Sequence, residues 1–270
     1  MPAGKAPLQR WRDLLAAVPP PADLVAAAPE SPYGFSVDLF TRRADEALAR
    51  ETPSRRHARS VLATGGTVLD IGCGAGAASL SLGSAVTAVV GVDQHAGMLA
   101  AFASRADRRG IPHREVQGRW PDVRAPDLVC DLCVCHHVVY NVPDLEPFVT
   151  ALTRCARRLV VIEMTAAHPI AWMQPLWRHV HGLEVSPGPG LDEAVAALEA
   201  AGVRPTVDRW SDASSWLDVD DELVAFSRRR LCVGPDRDGD IRRALRVEGL
   251  PRRTRVVATL TWPGGADGGR

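Results

Sequence analysis

An aliphatic run from Thr67 to Ile71 stops at Gly72-Cys73-Gly74-Ala75-Gly76 and passes into the small residues Ala77-Ala78-Ser79-Leu80-Ser81-Leu82. Glycines between a buried strand and a helix let the backbone approach a ligand, because no Cβ stands in the way. The small-residue segment predicts a helix over Ala77–Gly83, whose N-terminus would add unpaired N–H groups and a positive dipole end. A second apolar run, Ala85 to Val92, closes on Asp93, 21 residues after Gly72. An acid at roughly that distance, about 20 residues, holds the ribose in nucleotide-binding βαβ units. The pattern predicts a nucleoside-containing ligand at the carboxyl edge of a parallel sheet.

The glycines alone do not choose the nucleoside. Ala77 could fill the last position of a dinucleotide fingerprint, which keeps an NAD(P)-dependent oxidoreductase as an alternative. Asp70, two residues ahead of Gly72, argues against it: a carboxylate beside a pyrophosphate repels what the site must attract. A ligand carrying an amine and a sulfonium is drawn to the same carboxylate.

Three ordered stretches carry a family resemblance. Val68-Leu69-Asp70-Ile71-Gly72-Cys73-Gly74-Ala75-Gly76 resembles the first motif of class I S-adenosylmethionine-dependent methyltransferases. Val89-Val90-Gly91-Val92-Asp93 resembles their second. The stretch from Asp127 through His136-His137 and Tyr140-Asn141 to Leu145 resembles their fourth-strand motif and the loop beyond it. Together they span the core, roughly Asp38 to Glu163. The resemblance implies S-adenosylmethionine as cofactor, with Asp70, Gly72, Cys73 and Gly74 against its aminoacyl group. It puts Asp93 on the ribose, Gln94 beside it and Met98 over the adenine. Gly118, Arg119 and Trp120 become pocket neighbours, and Cys135 and His136, closing the fourth strand, join the cofactor loop. Arg119 stands where the family often carries an acid on the adenine amino group. Arg cannot accept a hydrogen bond, so backbone, another side chain or water must read that edge.

Along the chain, strands Thr67–Ile71, Ala85–Val92, Arg114–Gln117, Leu128–Cys135 and Leu159–Met164 alternate with helices Ala96–Arg109 and Leu145–Cys155. This order predicts an α/β, Rossmann-like, doubly wound and mostly parallel sheet. Helix Asp192–Ala201, strand Val203–Trp210, a helical pair about Ser214–Arg230 and Asp236–Val247, and strand Thr254–Trp262 follow. By the family's habit these complete seven strands, the last one antiparallel. The expected organisation is an N-terminal helix and lid segment (1–37), a cofactor-binding core (38–166), and lid helices with the sheet-completing strands (167–270).

Methyl transfer from a sulfonium is an in-line displacement whose electrophile the cofactor supplies, so no fixed triad is expected. The protein must align the acceptor, exclude water and sometimes remove a proton. Candidate catalytic residues are Glu163, ending the fifth strand, and His168 and His181. Trp172 and Trp177 are read on overlapping faces of one helix, with the two histidines at its ends; core packing is the competing explanation. Tyr33 and Tyr140 are further candidates for the acceptor side, and Phe40, ahead of the core, for a lid.

Six cysteines occur, and Cys130, Cys133 and Cys135 precede His136. Strand alternation would send Cys130 and Cys133 to opposite faces, so buried small hydrophobes are expected and no metal. Acidic and basic residues balance at 32 each, and no basic run alternates with aromatics, which argues against nucleic acid. No apolar stretch approaches about 18 residues and no secretory signal is visible. The expectation is a cytoplasmic protein, without membrane or nucleic-acid partners, acting on a small-molecule acceptor. Oligomeric state is not readable, and a non-catalytic S-adenosylmethionine-binding module remains a further alternative.

Overall fold

The computed structural model describes residues 5–34, 37–123, 128–213, 218–250 and 254–266. Asp127 and the stretch 214–217, the expected start of a helix, lie outside them. Seven strands form one sheet: β1 (Gly66–Ile71), β2 (Val86–Asp93), β3 (His113–Gln117), β4 (Cys130–His136), β5 (Ala156–Thr165), β6 (Thr206–Ala213) and β7 (Thr254–Pro263). Their order is β3-β2-β1-β4-β5-β7-β6. The first five run parallel, and β7 is antiparallel to both β5 and β6. The continuous apolar runs of β1 and β5 follow from burial on both faces.

One face is covered by α1 (Ala6–Ala16), α6 (Leu145–Cys155) and α8 (Leu191–Ala200). In α1, Leu8, Trp11 and Leu15 recur at helical spacing and are buried, and the Trp11 indole donates to the Val142 carbonyl at 2.8 Å. The other face is covered by α4 (Pro53–Val61), α5 (Ala96–Asp107) and the 3₁₀ turn Leu80–Ala85. Helix α3 (Val37–Leu48) packs against α5 and that turn.

A third apolar cluster lies apart from both faces. It joins α7 (Gln174–His181), α9 (Asp221–Arg230) and α10 (Asp238–Val247), with Leu24 and Val25 of α2 (Ala22–Ala27) against it. Helices α9 and α10 connect β6 to β7. Since β6 runs with β1–β5, this connection leaves and re-enters the sheet at the edge where the parallel strands end. The lobe therefore rises from the ligand edge.

Two expectations fail. The helix over Ala77–Gly83 does not form; the segment is a series of turns ending in the 3₁₀ turn. Gly76 and Gly83 both adopt positive φ, +81° and +65°, and Asp70 captures Ser79 between them, leaving too little chain for an α-helix. No α-helix N-terminus therefore adds its dipole to the loop at this point. Cys130 and Cys133 also do not point apart, since their sulfurs come to 3.7 Å within one core cluster. A register slip between Cys130 and Leu132 cancels the alternation. Among the described residues no helix is long and apolar enough to cross a membrane.

Candidate cofactor and acceptor site

Gly72, Gly74 and Gly76 take φ of +65°, +50° and +81°, a zigzag that L side chains rarely follow. The N–H groups of Gly72 and Cys73 donate to the Val92 carbonyl at 2.8 and 3.1 Å, fastening the loop to the end of β2. A Cβ on Gly72 would fall 2.4 Å from Val138, whereas one on Gly74 would meet only Phe40, at 4.0 Å. The open side of the loop is thus at Gly74, beneath α3.

Asp93 stands where three loops meet. Its Oδ2 accepts from the Gly74 N–H at 3.0 Å, its Oδ1 from the His95 N–H at 2.9 Å, and its carbonyl from the Gly118 N–H at 2.9 Å. Gln94 is exposed, and its carbonyl accepts from the Gln117 amide at 3.3 Å. Met98 is buried in the first turns of α5.

Asp70 lies behind the loop, 1% exposed, with Oδ2 accepting from the Ser79 hydroxyl at 2.5 Å and N–H at 3.3 Å. Burial raises its carboxyl to about 6 despite those bonds. Cys73 turns its sulfur toward Gly91 and Phe102, and Cys135 is enclosed in the core; burial pushes both thiols up. Arg119 is exposed. Trp120 is buried on the α6 side, where its indole donates to the Phe148 carbonyl at 3.1 Å.

The carboxyl ends of β4 and β5 bring a carboxylate and two imidazoles together. His136 pairs with Glu163 in register, and the His137 N–H donates to the Glu163 carbonyl at 2.8 Å. His137, at φ +58°, places Nε2 3.1 Å from Glu163 Oε1, while His136 Nδ1 is 4.0 Å from the same oxygen. Burial pushes the Glu163 carboxyl up, but His136, His137 and the Ser54 hydroxyl outweigh it and hold it below the ordinary range. Burial also lowers His136, so the direct bond from His137 is the sturdier of these partners. His136 Nε2 is buried with no partner among the described residues.

Tyr140 is buried, its hydroxyl 2.7 Å from Thr165 Oγ1 and accepting from the Thr165 N–H at the end of β5. Its ring meets His168 edge-on at 5.4 Å. Burial first, then the charge of Arg230, lowers His168 to about 4. Tyr33 is exposed and lies beside Arg230.

The reading of His168 and His181 as the two ends of one helix is corrected. His168 precedes the 3₁₀ turn Ala171–Met173, and only α7 reaches His181. Trp172 stacks on Phe226 at 6.4 Å, Trp177 on His181 at 5.0 Å, and His181 Nε2 bonds the Leu231 carbonyl at 2.7 Å. These three residues belong to the packing of the lobe. His137, quoted in the fourth-strand resemblance but not taken as the base, is the imidazole bonded to Glu163; Ser54, Arg229 and Arg230 were not among the candidates. The run Arg228-Arg229-Arg230 was visible, but nothing in the sequence says that part of it is buried.

Residues 69–161 match the family described as a methyltransferase domain. A phosphatidylethanolamine N-methyltransferase of Cereibacter sphaeroides is 38% identical over 112 residues, covering 40% of this chain and 54% of that protein. The chain thus spans about half the length of this curated relative. The fold is similar to a methyltransferase from Thiobacillus denitrificans solved with S-adenosyl-L-homocysteine, at TM-score 0.52, 16% identity, and coverage of 84% of this chain and 98% of that one. It is also similar to a Galdieria sulphuraria protein described as a sarcosine dimethylglycine methyltransferase, at TM-score 0.54, 16% identity, and coverage of 82% and 85%.

Proposed function

We propose that this chain, whose core is a class I S-adenosylmethionine-dependent methyltransferase domain, moves a methyl group onto a small-molecule acceptor. The observation that carries the reading is the Asp93 carboxylate clasped by Gly74 and His95 at the open side of the glycine loop. Each of its oxygens keeps a free acceptor direction for a ribose hydroxyl. Backbone at Gly72, Cys73 and Gly74 lines the aminoacyl end, and Asp70 supports that loop from behind through Ser79. Met98 and Phe40 supply apolar cover for the base. When bound, S-adenosylmethionine supplies an electrophilic methyl group, and the residues supply alignment and proton removal.

For the proton, the best-placed group is His137. With its Nε2–H donating to the ionised Glu163, Nδ1 is left as an acceptor facing away from the carboxylate. Glu163 in this role fixes the tautomer and supports the imidazolium. His168, kept neutral by burial, lines the acceptor side with Tyr140 and Tyr33. The curated relative's name brings an ethanolamine amine as the first acceptor to try.

Calorimetry with S-adenosylhomocysteine, NAD and NADP tests the cofactor. Binding of the first alone is expected, and binding of a nicotinamide nucleotide instead would overturn the reading. Mass detection of methylated ethanolamine and O-phosphoethanolamine tests transfer. Cofactor affinity with no product from any amine, hydroxyl or thiol acceptor would reduce the chain to a binding module.

A further inference from the structure

The last turn of α9 carries Arg228, Arg229 and Arg230, and the three differ in what they meet. Arg228 is matched: Asp238 accepts from it at 3.0 and 2.8 Å, and Glu30 lies 3.6 Å away. Arg229 and Arg230 have no carboxylate in ion-pair range among the described residues; the Nε of all three is buried without a partner, so the two carboxylates are what set Arg228 apart. Arg230 is half-buried, and its guanidinium lies 5.5 Å from the centre of the Phe226 ring, with Trp172 stacked on that ring. An arginine cannot escape burial by losing its proton, and a buried charge without a counter-ion is unfavourable.

The position of this charge matters as much as its isolation. Arg230 is close enough to His168 to depress it, and close enough to Tyr33 to feel its hydroxyl. His168 touches Tyr140, whose hydroxyl caps the end of β5. Arg229 Nη1 approaches within 4.0 Å of where a Gly34 Cβ would stand. The two arginines therefore sit on the lobe that rises from the ligand edge, on the side of Gly34 and His168. A planar guanidinium fork suits a carboxylate or a phosphoryl group, either of which takes two parallel bonds.

We propose that Arg230, assisted by Arg229 and Tyr33, binds an anionic group of the methyl acceptor, a carboxylate or a phosphoryl oxygen pair. Resting on the methyltransferase reading, this narrows the acceptor to a nucleophile bearing a negative group. The unpaired charge that is unfavourable in the free protein becomes the source of selectivity once the anion arrives.

The test titrates protein saturated with S-adenosylhomocysteine with inorganic phosphate, O-phosphoethanolamine and acetate. Sedimentation with phosphatidylethanolamine vesicles shows whether the phosphoryl group is lipid-borne or free. At least one of these probes is expected to bind. Arg230→Gln should weaken it by about tenfold or more, the scale of one lost charge-assisted fork. Arg230→Lys should retain part of the affinity, and Arg246→Gln, exposed on α10, should change nothing. Affinity for S-adenosylhomocysteine and thermal stability should survive Arg230→Gln; if the fold suffers, Arg229→Gln supplies the second variant, with a smaller loss. No anion binding in the parent protein, or an equal loss in Arg246→Gln, overturns the site. Loss of S-adenosylhomocysteine affinity in Arg230→Gln overturns it too, because the arginine would then serve the cofactor. If the parent protein ignores S-adenosylhomocysteine, the methyltransferase reading falls instead, and anion titration of the ligand-free protein still decides the arginine site.

Discussion

Around the glycine loop the chain answers its own polar groups: Val92 takes two N–H groups, Asp93 takes two more, and Ser79 fills the oxygen of buried Asp70. Across the ligand edge, α9 leaves Arg229 and Arg230 without a carboxylate among the described residues while giving Arg228 two. The loop side is fixed before anything binds and selects by shape. The α9 side holds a charge in reserve and selects by sign. A site of this kind can take one constant ligand on a rigid floor and a more particular one against a charged wall.

The largest expected effect tests whether the junction between these sides carries chemistry. His137→Ala should lower kcat by roughly 10²–10⁴, the usual range for a lost general base, with S-adenosylhomocysteine affinity kept. Equal losses in turnover and cofactor affinity would make His137 part of the floor. Next, Asp93→Ala should weaken S-adenosylhomocysteine binding by about a hundredfold, since two bonds to a charged group at ~1.5 kcal/mol each are removed. Unchanged affinity by calorimetry would remove Asp93 from the ribose.

A third change probes rigidity. Gly72→Ala forces a methyl group to within 2.4 Å of Val138 at φ +65°, and should cost about 1–3 kcal/mol in urea unfolding, as overpacking does. Arg230→Gln should cost little stability, since it removes a half-buried charge with no carboxylate in ion-pair range among the described residues. Similar losses in both would erase the contrast between floor and wall.

The smallest effect is a pH slope. Asp70 binds its proton more tightly in the folded state, at about 6 against an ordinary 3.8, so its contribution to stability falls as pH rises from about 4 to 6. His168 binds its proton less tightly, at about 4 against 6.5, so its contribution rises with pH over about 4 to 6.5. The two oppose each other. Urea midpoints measured across this range should rise more steeply with pH in Asp70→Asn and less steeply in His168→Gln. Parallel profiles in all three proteins would refute the assignment.

The strands were legible because doubly covered strands demand unbroken apolar runs, as at Leu159-Val160-Val161-Ile162. The place of Asp93, at the end of β2 beside the glycine loop, was legible because the apolar run from Val86 to Val92 closes on it. The missing helix after the loop was not: small residues permit an α-helix, but Gly76, Gly83 and the Asp70–Ser79 bond decide against it. Glu163 was singled out, yet its partnership with His137 depends on the register of β4 against β5, which no local pattern encodes. The α9 arginines were not singled out, because their neighbours, Phe226 on the same helix and Glu30, Asp238 and Gly34 elsewhere in the chain, meet them only in the folded structure. Tertiary placement, and no motif, separates Arg228 from its two neighbours.

The strand β7 inserts between β5 and β6 although it follows both in the chain, and its Thr259 lies 2.7 Å from Ser54 Oγ, a hydroxyl that also steadies Glu163. Segments more than two hundred positions apart must meet before that acid is correctly seated. The glycine loop and that acid therefore depend on different parts of the chain, and the second waits for β7 to close the sheet. Such distant closure slows folding.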